Sequence, residues 1–205
     1  MIDTKLRRFF QPIFTSIAKP FVALRIHPDI ITLMAFISGA IAGLCIAFGC
    51  IISALVLLWI SGLLDILDGT VARLSGRSSK IGAFLDLVFD RMVESAIILG
   101  FFFFLPEHAL AYLVFFIAVL FNFTTFMVAG ALFPNTGNKS MHYDIGLVER
   151  TETFFIFTLM LLWPTYVPIM LMIFNAIVFL TGIIRFVRIV KLENGGINPS
   201  GEIHS

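Results

Sequence analysis

Charged residues and cysteines are both scarce in this sequence. Only 13% of its 205 residues are charged, whereas 59% are hydrophobic, and the mean hydropathy is +1.01. A soluble domain of this length could not bury so much apolar surface, so we expect an integral membrane protein. The net charge of +1 gives no indication of nucleic-acid binding. The two cysteines, Cys45 and Cys50, lie in or beside apolar segments, which argues against a disulfide framework.

The N-terminal segment lacks the compact apolar core and cleavage site of a secretory signal peptide. Its apolar residues Leu6, Phe10, Ile13 and Ile17 recur at helical spacing, and basic residues lie between them. We therefore expect residues 1–26 to form an amphipathic helix that lies on the membrane surface beside the first span.

Long apolar segments fill most of the remaining chain. A helix needs roughly 20 residues to cross the hydrocarbon core, and backbone groups in lipid must form hydrogen bonds within the segment. The sequence therefore predicts an all-α integral membrane fold, with one six-span domain over 27–191 and a polar tail over 192–205. The six predicted spans are 28–49, 51–73, 80–104, 108–132, 147–163 and 166–188.

The basic residues indicate the orientation of these spans. With six crossings, the connections near residues 50, 105 and 165 share one side of the membrane and contain no Lys or Arg. All 14 basic residues lie on the other side or in the adjoining helix ends. Since cytoplasmic segments accumulate Lys and Arg, we expect both termini to be cytoplasmic in a multi-pass protein of the bacterial inner membrane.

Acidic residues are concentrated in the second and third predicted spans. Asp65 and Asp68 are three residues apart, whereas Asp86, Asp90 and Glu94 are each four apart, so each set shares one helix face. The short connection predicts antiparallel neighbouring helices whose carboxylates meet near the cytoplasmic surface. Such a cluster favours hard divalent cations, Mg²⁺ first and Mn²⁺ second. Two cations bridged by carboxylates could clamp a diphosphate, and a remaining carboxylate could accept a proton.

The same region contains the pattern D-x-x-D-G-x-x-A-R-x8-G-x-x-x-D-x-x-x-D. This pattern resembles the signature of the CDP-alcohol phosphotransferase family, and the six-span layout with a surface helix is similar as well. Its fixed positions are Asp65, Asp68, Gly69, Ala72, Arg73, Gly82, Asp86 and Asp90.

The resemblance implies a role for each part of the signature. Asp65, Asp68 and Asp86 would bind two Mg²⁺ or Mn²⁺ ions, and Asp90 would complete the acidic metal site and act as the general base. The segment "HPDIITL" is similar to the start of the family's first span, although Asp29 stands where members often have Asn. The implied nucleotide-binding residues are Asp65, Asp68, Gly69, Ala72, Arg73, Gly82, Pro28 and Thr32.

Basic residues late in the chain could form a pocket for a phosphorylated acceptor. Lys139, Arg150 and Arg185 occupy places similar to those of the family's acceptor pocket. The positive-inside rule also predicts basic residues at these positions without any ligand, so both interpretations stay open here. Among the other candidates, we expect Gly39 and Gly43 to serve helix packing.

The resemblance implies transfer of a phosphatidyl group from CDP-diacylglycerol to the hydroxyl of a small soluble alcohol, with release of CMP. A phosphorylated polyol such as glycerol phosphate or inositol phosphate is the favoured acceptor. The alternative within the family transfers a CDP-linked amino alcohol to diacylglycerol. A cation transporter or channel is the alternative from a different class, since acidic residues can line a permeation path. The resemblance also implies a homodimer.

Overall fold

The structure, a computed structural model, describes residues 2–132 and 150–194, with side chains described for 11–132 and 152–191. Helices form almost all of these residues, and strands are absent from this part of the chain. Single 3-10 turns, Pro106–His108 and Pro164–Tyr166, precede the fifth and seventh helices. The helices are α1 Ile2–Ala23, α2 Pro28–Ala47, α3 Ile51–Leu74, α4 Lys80–Phe104, α5 Ala109–Leu132, α6 Arg150–Leu162 and α7 Val167–Asn194.

A helix occupies each of the six predicted spans, but within the described residues only four segments are long and apolar enough to cross a membrane. These segments contain α2, α3, α5 and α7. α4 has 25 residues but carries five charged side chains, and α6 is described over only 13 residues. The prediction of an all-helical membrane protein is therefore confirmed, whereas crossings by α4 and α6 stay a prediction. The N-terminal segment is helical as expected, and its place on the membrane surface stays a prediction too.

The starts of α2 and α4, and the turn that precedes α4, follow from local chemistry. Pro28 occupies the first turn of α2, where its missing N–H costs no hydrogen bond. The Ser79 hydroxyl caps α4 by accepting a hydrogen bond from the Gly82 N–H at 2.9 Å. In the turn before it, Gly76 has a φ of 65°, a conformation that glycine adopts without strain.

α2 lies antiparallel to α3, and two hydroxyls join them. Ser38 donates to the Leu57 carbonyl at 2.9 Å, and Ser61 donates to the Ala35 carbonyl at 2.8 Å. Both serines are buried, so these hydrogen bonds satisfy polar groups that would otherwise face an apolar interior. They also fix the register of α3 along α2.

α2 also packs closely along α4, in parallel, through small residues. A Cβ on Gly39 would lie 2.6 Å from Val93, and a Cβ on Gly43 would collide with the Ala96 carbonyl oxygen. From the other side, a Cβ on Gly100 would collide with the Gly43 carbonyl oxygen. The prediction that Gly39 and Gly43 serve tight helix contact is thus confirmed.

The remaining helices form a second group beside α2, α3 and α4. α5 and α7 run parallel, because Ala111 is hydrogen-bonded to Asn175 near their starts and Asn122 to Arg185 further along both helices. α6 contacts both α3 and α7, with Phe154 against Gly62. α1 packs on α3, where Ala18 joins a small buried cluster with Ile31, Leu67 and Val71. The N-terminal helix therefore supports the segment of α3 that carries the acidic residues.

The α2–α4 contact gives a testable prediction. Gly43→Leu should lower the stability of the purified protein, because overpacking a close contact typically costs about 1–3 kcal/mol. The midpoint of thermal unfolding in detergent measures this effect. Leu44→Ala is a matched control, since Leu44 is 60% exposed on the same helix. Equal midpoints for the wild-type protein and Gly43→Leu would contradict the packing described here.

Candidate metal centre

Three carboxylates from α3 and α4 converge near the short connection between these two helices. Asp65 and Asp68 belong to α3, and Asp86 belongs to α4. One carboxylate oxygen from each lies within 4.8 Å of the other two. Asp68 is buried, whereas Asp65 and Asp86 are partly buried. The convergence predicted from sequence spacing is therefore present for these three residues.

The position of α2 explains how the carboxylates meet without crowding. Within the described residues, α3 and α4 each pack extensively against α2 and much less against each other. α3 and α4 are antiparallel neighbours, as predicted, and small residues on α2 let both of them lie close to it. Gly39 contacts both Ser61 of α3 and Val93 of α4. Ser61 precedes Asp65 by one helical turn, so the three helices join directly beneath the acidic cluster.

The chemistry of these donors fits a divalent metal ion. Carboxylate oxygens bind Mg²⁺ at about 2.0–2.1 Å and Ca²⁺ at about 2.3–2.6 Å, so oxygens within 4.8 Å of one another can share an ion. Three like charges this close repel one another, and that repulsion disappears when a cation binds between them. Asp65, Asp68 and Asp86 could therefore hold the metal ions that the sequence predicts.

Asp90 lies one turn after Asp86 on α4 and is partly buried. It does not belong to the group of three whose oxygens are mutually within 4.8 Å. Asp90 therefore shares the helix face predicted for it without joining the shared donor set, which is compatible with a separate role in proton transfer.

Arg73 and the signature residues after Asp68 line the adjacent surface. The Arg73 guanidinium folds back over Gly69, where an added Cβ would lie 3.3 Å from Nη1. Its Nη2 also donates to the Thr70 hydroxyl at 3.2 Å. Ala72 is partly buried two residues before the end of α3. Glycine and alanine here leave room for a ligand beside the exposed guanidinium.

The start of α2 lies next to the start of α4. A Cβ on Gly82 would lie 3.2 Å from Asp29 Oδ1, so Asp29 is part of the site's edge. Its carboxylate lies 3.4 Å from His27 Nδ1. Pro28 and Thr32 are buried, and the Thr32 hydroxyl donates to the Pro28 carbonyl at 3.2 Å. The sequence alone assigns no role to Asp29. Its one distinguishing feature there is that it stands where family members often have Asn.

Of the three predicted acceptor-binding residues, the structure describes the side chain of Arg185 alone. Arg185 is only 7% exposed, and its Nη1 donates to the carbonyl and the side-chain oxygen of Asn122 at 3.0 and 2.8 Å. Lys139 and the side chain of Arg150 lie outside the described residues, although the backbone of Arg150 begins α6. Asn122 was missed, because an isolated Asn in an apolar helix gives no indication of its partner.

Arg91 and Glu94, which follow Asp90 on α4, form an ion pair. Arg91 Nη2 lies 2.6 Å from Glu94 Oε1, and Glu94 is only 7% exposed. The guanidinium also lies over the ring of Phe123, 5.9 Å from its centroid. This pairing supports a charge-balancing role for Arg91.

Comparison with known proteins decides the family. A sequence model described as CDP-alcohol phosphatidyltransferase matches residues 25–187. The chain belongs to the CDP-alcohol phosphatidyltransferase family. The matched region contains the acidic cluster, the small residues beside it and the buried Arg185.

Two relatives show how similar this chain is to other proteins. It is 33% identical to the inner membrane protein YnjF of Escherichia coli over 193 residues, covering 90% of this chain and 93% of the relative. An archaetidylinositol phosphate synthase from Methanothermobacter thermautotrophicus is 40% identical over 95 residues, covering 46% of this chain and 45% of the relative. The second match therefore spans about half of either protein.

Solved structures share the fold. The phosphatidylinositol phosphate synthase of Mycobacterium tuberculosis with CDP-DAG bound has a TM-score of 0.71 and 21% identity, covering 85% of this chain and 92% of that chain. The same enzyme in complex with manganese and citrate also has a TM-score of 0.71, with 20% identity, covering 84% and 87%. At this identity, the likeness establishes a shared fold.

The donor geometry predicts metal binding directly. Asp68→Asn should weaken Mn²⁺ binding by at least about tenfold, because it replaces a buried anionic donor with a neutral amide. Isothermal titration calorimetry on detergent-purified protein measures the affinity. Glu107→Gln is the control, since Glu107 is exposed in the turn after α4. Unchanged Mn²⁺ affinity in Asp68→Asn would exclude this site.

Proposed function

We propose that this protein transfers a phosphatidyl group from CDP-diacylglycerol to the hydroxyl of a phosphorylated polyol and releases CMP. The observation that carries the proposal is the convergence of Asp65, Asp68 and Asp86 within the family signature. Two relatives add support, since one is named an archaetidylinositol phosphate synthase and another a phosphatidylinositol phosphate synthase. Inositol phosphate is therefore the favoured acceptor, with glycerol phosphate as the second candidate.

Asp65, Asp68 and Asp86 would hold the divalent cations, with Mg²⁺ as the expected ion and Mn²⁺ as a substitute. Bound there, two cations would neutralise charge on the diphosphate of the donor and make CMP a better leaving group. α3 and α4 supply these carboxylates from helices that are both anchored on α2, so the donors are held in place before the substrate arrives.

The residues around the carboxylates would bind the CDP group. Gly69, Ala72 and Gly82 leave room for the nucleotide to approach the helices. The Arg73 guanidinium, folded over Gly69, would donate hydrogen bonds to the diphosphate. Pro28 and Thr32 at the start of α2 would line the cytosine pocket. A lipid donor could then reach the site from the bilayer while its CDP group lies at the cytoplasmic surface.

Asp90 would act as the general base. It would accept the proton of the acceptor hydroxyl, and the resulting oxygen nucleophile would attack the phosphorus attached to diacylglycerol. A new P–O bond to the acceptor forms as the P–O bond to CMP breaks, so the phosphatidyl group moves in one displacement. One turn separates Asp90 from Asp86, so the base would lie beside the diphosphate without taking part in the shared donor set.

Arg185 favours a phosphorylated acceptor over an uncharged alcohol. Its side chain is buried, and among the described residues no carboxylate pairs with it, because its hydrogen bonds go to neutral oxygens of Asn122. Burying an uncompensated charge is unfavourable, and an anionic ligand would remove that cost. Lys139 and Arg150 would add donors to the same phosphate pocket.

The proposed placement in the membrane has six crossings, by α2 to α7, within a domain over 27–191. Charges on α4 are tolerable because Arg91 and Glu94 pair and the aspartates face the site. α1 would lie on the cytoplasmic surface, and both termini, the tail over 192–205 and the active site would be cytoplasmic. The family resemblance also favours a homodimer.

An acceptor screen tests the proposed reaction. Purified protein with CDP-diacylglycerol and Mg²⁺ should release CMP with inositol phosphate, and more slowly or not at all with serine or unphosphorylated inositol. Chromatographic measurement of CMP follows the reaction, and EDTA should abolish it. Activity only with a CDP-linked amino alcohol and diacylglycerol would instead support the other reaction of this family. Ion flux in liposomes without any cytidine-dependent turnover would contradict both.

Removing the proposed base separates chemistry from binding. Asp90→Asn should lower kcat by about 10²–10⁴-fold, the usual contribution of general base catalysis, because the amide cannot accept the proton. Mn²⁺ and CMP binding should change little, since Asp90 lies outside the group of three. Turnover assays and calorimetry on the same preparation measure both quantities. Full activity in Asp90→Asn would show that another group accepts the proton.

A further inference from the structure

Asn122 engages Arg185 through two oxygens at once. The Nη1 group donates to the Asn122 carbonyl at 3.0 Å and to its side-chain oxygen at 2.8 Å. Phe126, one turn further along α5, lies against the guanidinium with its centroid 5.2 Å from Cζ. Hydrogen bonds on one nitrogen and a ring against the guanidinium together fix its orientation. The Nε group is buried and has no hydrogen-bond partner in the described structure.

Asn122 lies next to a residue that contacts the helix carrying the proposed base. Arg91 follows Asp90 in α4, and its guanidinium lies 5.9 Å from the ring centroid of Phe123, which follows Asn122 in α5. The Asn122–Arg185 pair therefore adjoins the part of α5 that contacts α4 beside Asp90, and Arg185 is buried there. A buried cation at this position needs a counter-ion, and Asn122 provides hydrogen bonds without charge.

We propose that Asn122 is a positioning and specificity residue for the acceptor: it orients the Arg185 guanidinium while leaving its positive charge available to the acceptor's phosphate. This inference rests on the proposed function. A carboxylate at the same position would form the same hydrogen bond but would also cancel the charge. The neutrality of Asn122, and not only its hydrogen bond, would therefore determine affinity for an anionic acceptor.

The decisive comparison is between Asn122→Asp and Asn122→Ala. If Asn122 only supports the fold, Asp should be tolerated better than Ala, because it still accepts the Arg185 hydrogen bond. Our inference predicts the opposite order for the acceptor. Asn122→Asp should raise the KM for inositol phosphate by at least about tenfold, since a charge placed beside Arg185 competes with the phosphate. Asn122→Ala should raise it less, because the backbone carbonyl still accepts a hydrogen bond.

Three further measurements make the result specific. The KM for CDP-diacylglycerol should stay within about twofold of the wild-type value in both variants, since the acceptor pocket alone is altered. Inorganic phosphate should compete with inositol phosphate in the wild-type enzyme and more weakly in Asn122→Asp. Asn175→Ala is the matched control, because Asn175 is also buried between α5 and α7 and donates to the Ala111 carbonyl at 2.9 Å. It should affect thermal stability without changing the acceptor KM.

The inference fails if Asn122→Asp binds CMP normally and has an unchanged acceptor KM, or if Asn122→Ala is impaired more than Asn122→Asp. Should Asn122→Asp fail to bind CMP, Asn122→Ala and Asn122→Ser decide, and an unchanged acceptor KM in either would overturn it. Arg185→Met separates this inference from the proposed pocket. If Arg185→Met raises the acceptor KM while the Asn122 variants do not, only the role of Asn122 is wrong. If Arg185→Met also has no effect, the proposed acceptor pocket is wrong.

Discussion

The close approach of α2 to both α3 and α4 at Gly39 is the contact on which the rest of the structure depends. A Cβ there would lie 2.6 Å from Val93 and 2.9 Å from the Ser61 hydroxyl, so any larger residue would force these side chains or the helices to shift. The contact lies one turn beneath the acidic cluster. It holds α3 and α4 against α2 and leaves their carboxylates facing a common space. Mutual repulsion would otherwise separate these side chains.

Helix packing and chemistry are therefore linked through the same few residues. Hydroxyls of Ser38 and Ser61 fix the register of α3 on α2, and this register sets the height of Asp65 and Asp68. Small residues fix the register of α4, and this sets the height of Asp86. α1 supports α3 from outside through Ala18. A donor set assembled by rigid helices loses little entropy when a cation binds, which is how preorganised sites gain affinity.

The sequence predicted much of this arrangement, for clear physical reasons. Helical periodicity and apolar length located the helices, and the spacing of Asp65, Asp68 and Asp86 placed their carboxylates on converging faces. The packing of one helix against another was harder to predict from the sequence. The packing of both α3 and α4 on α2 depends on how small residues interlock across helices, which spacing within one helix does not specify. Asn122 was missed for the same reason, since its contact with Arg185 joins residues 63 positions apart.

Anomalous diffraction from crystals grown with Mn²⁺ and CMP tests the central claim most directly, because it locates the metal without relying on activity. We expect anomalous peaks between the carboxylates of Asp65, Asp68 and Asp86, within ordinary metal–oxygen distances, with α3 and α4 still held against α2. Manganese bound elsewhere, with no peak among these three side chains, would contradict it.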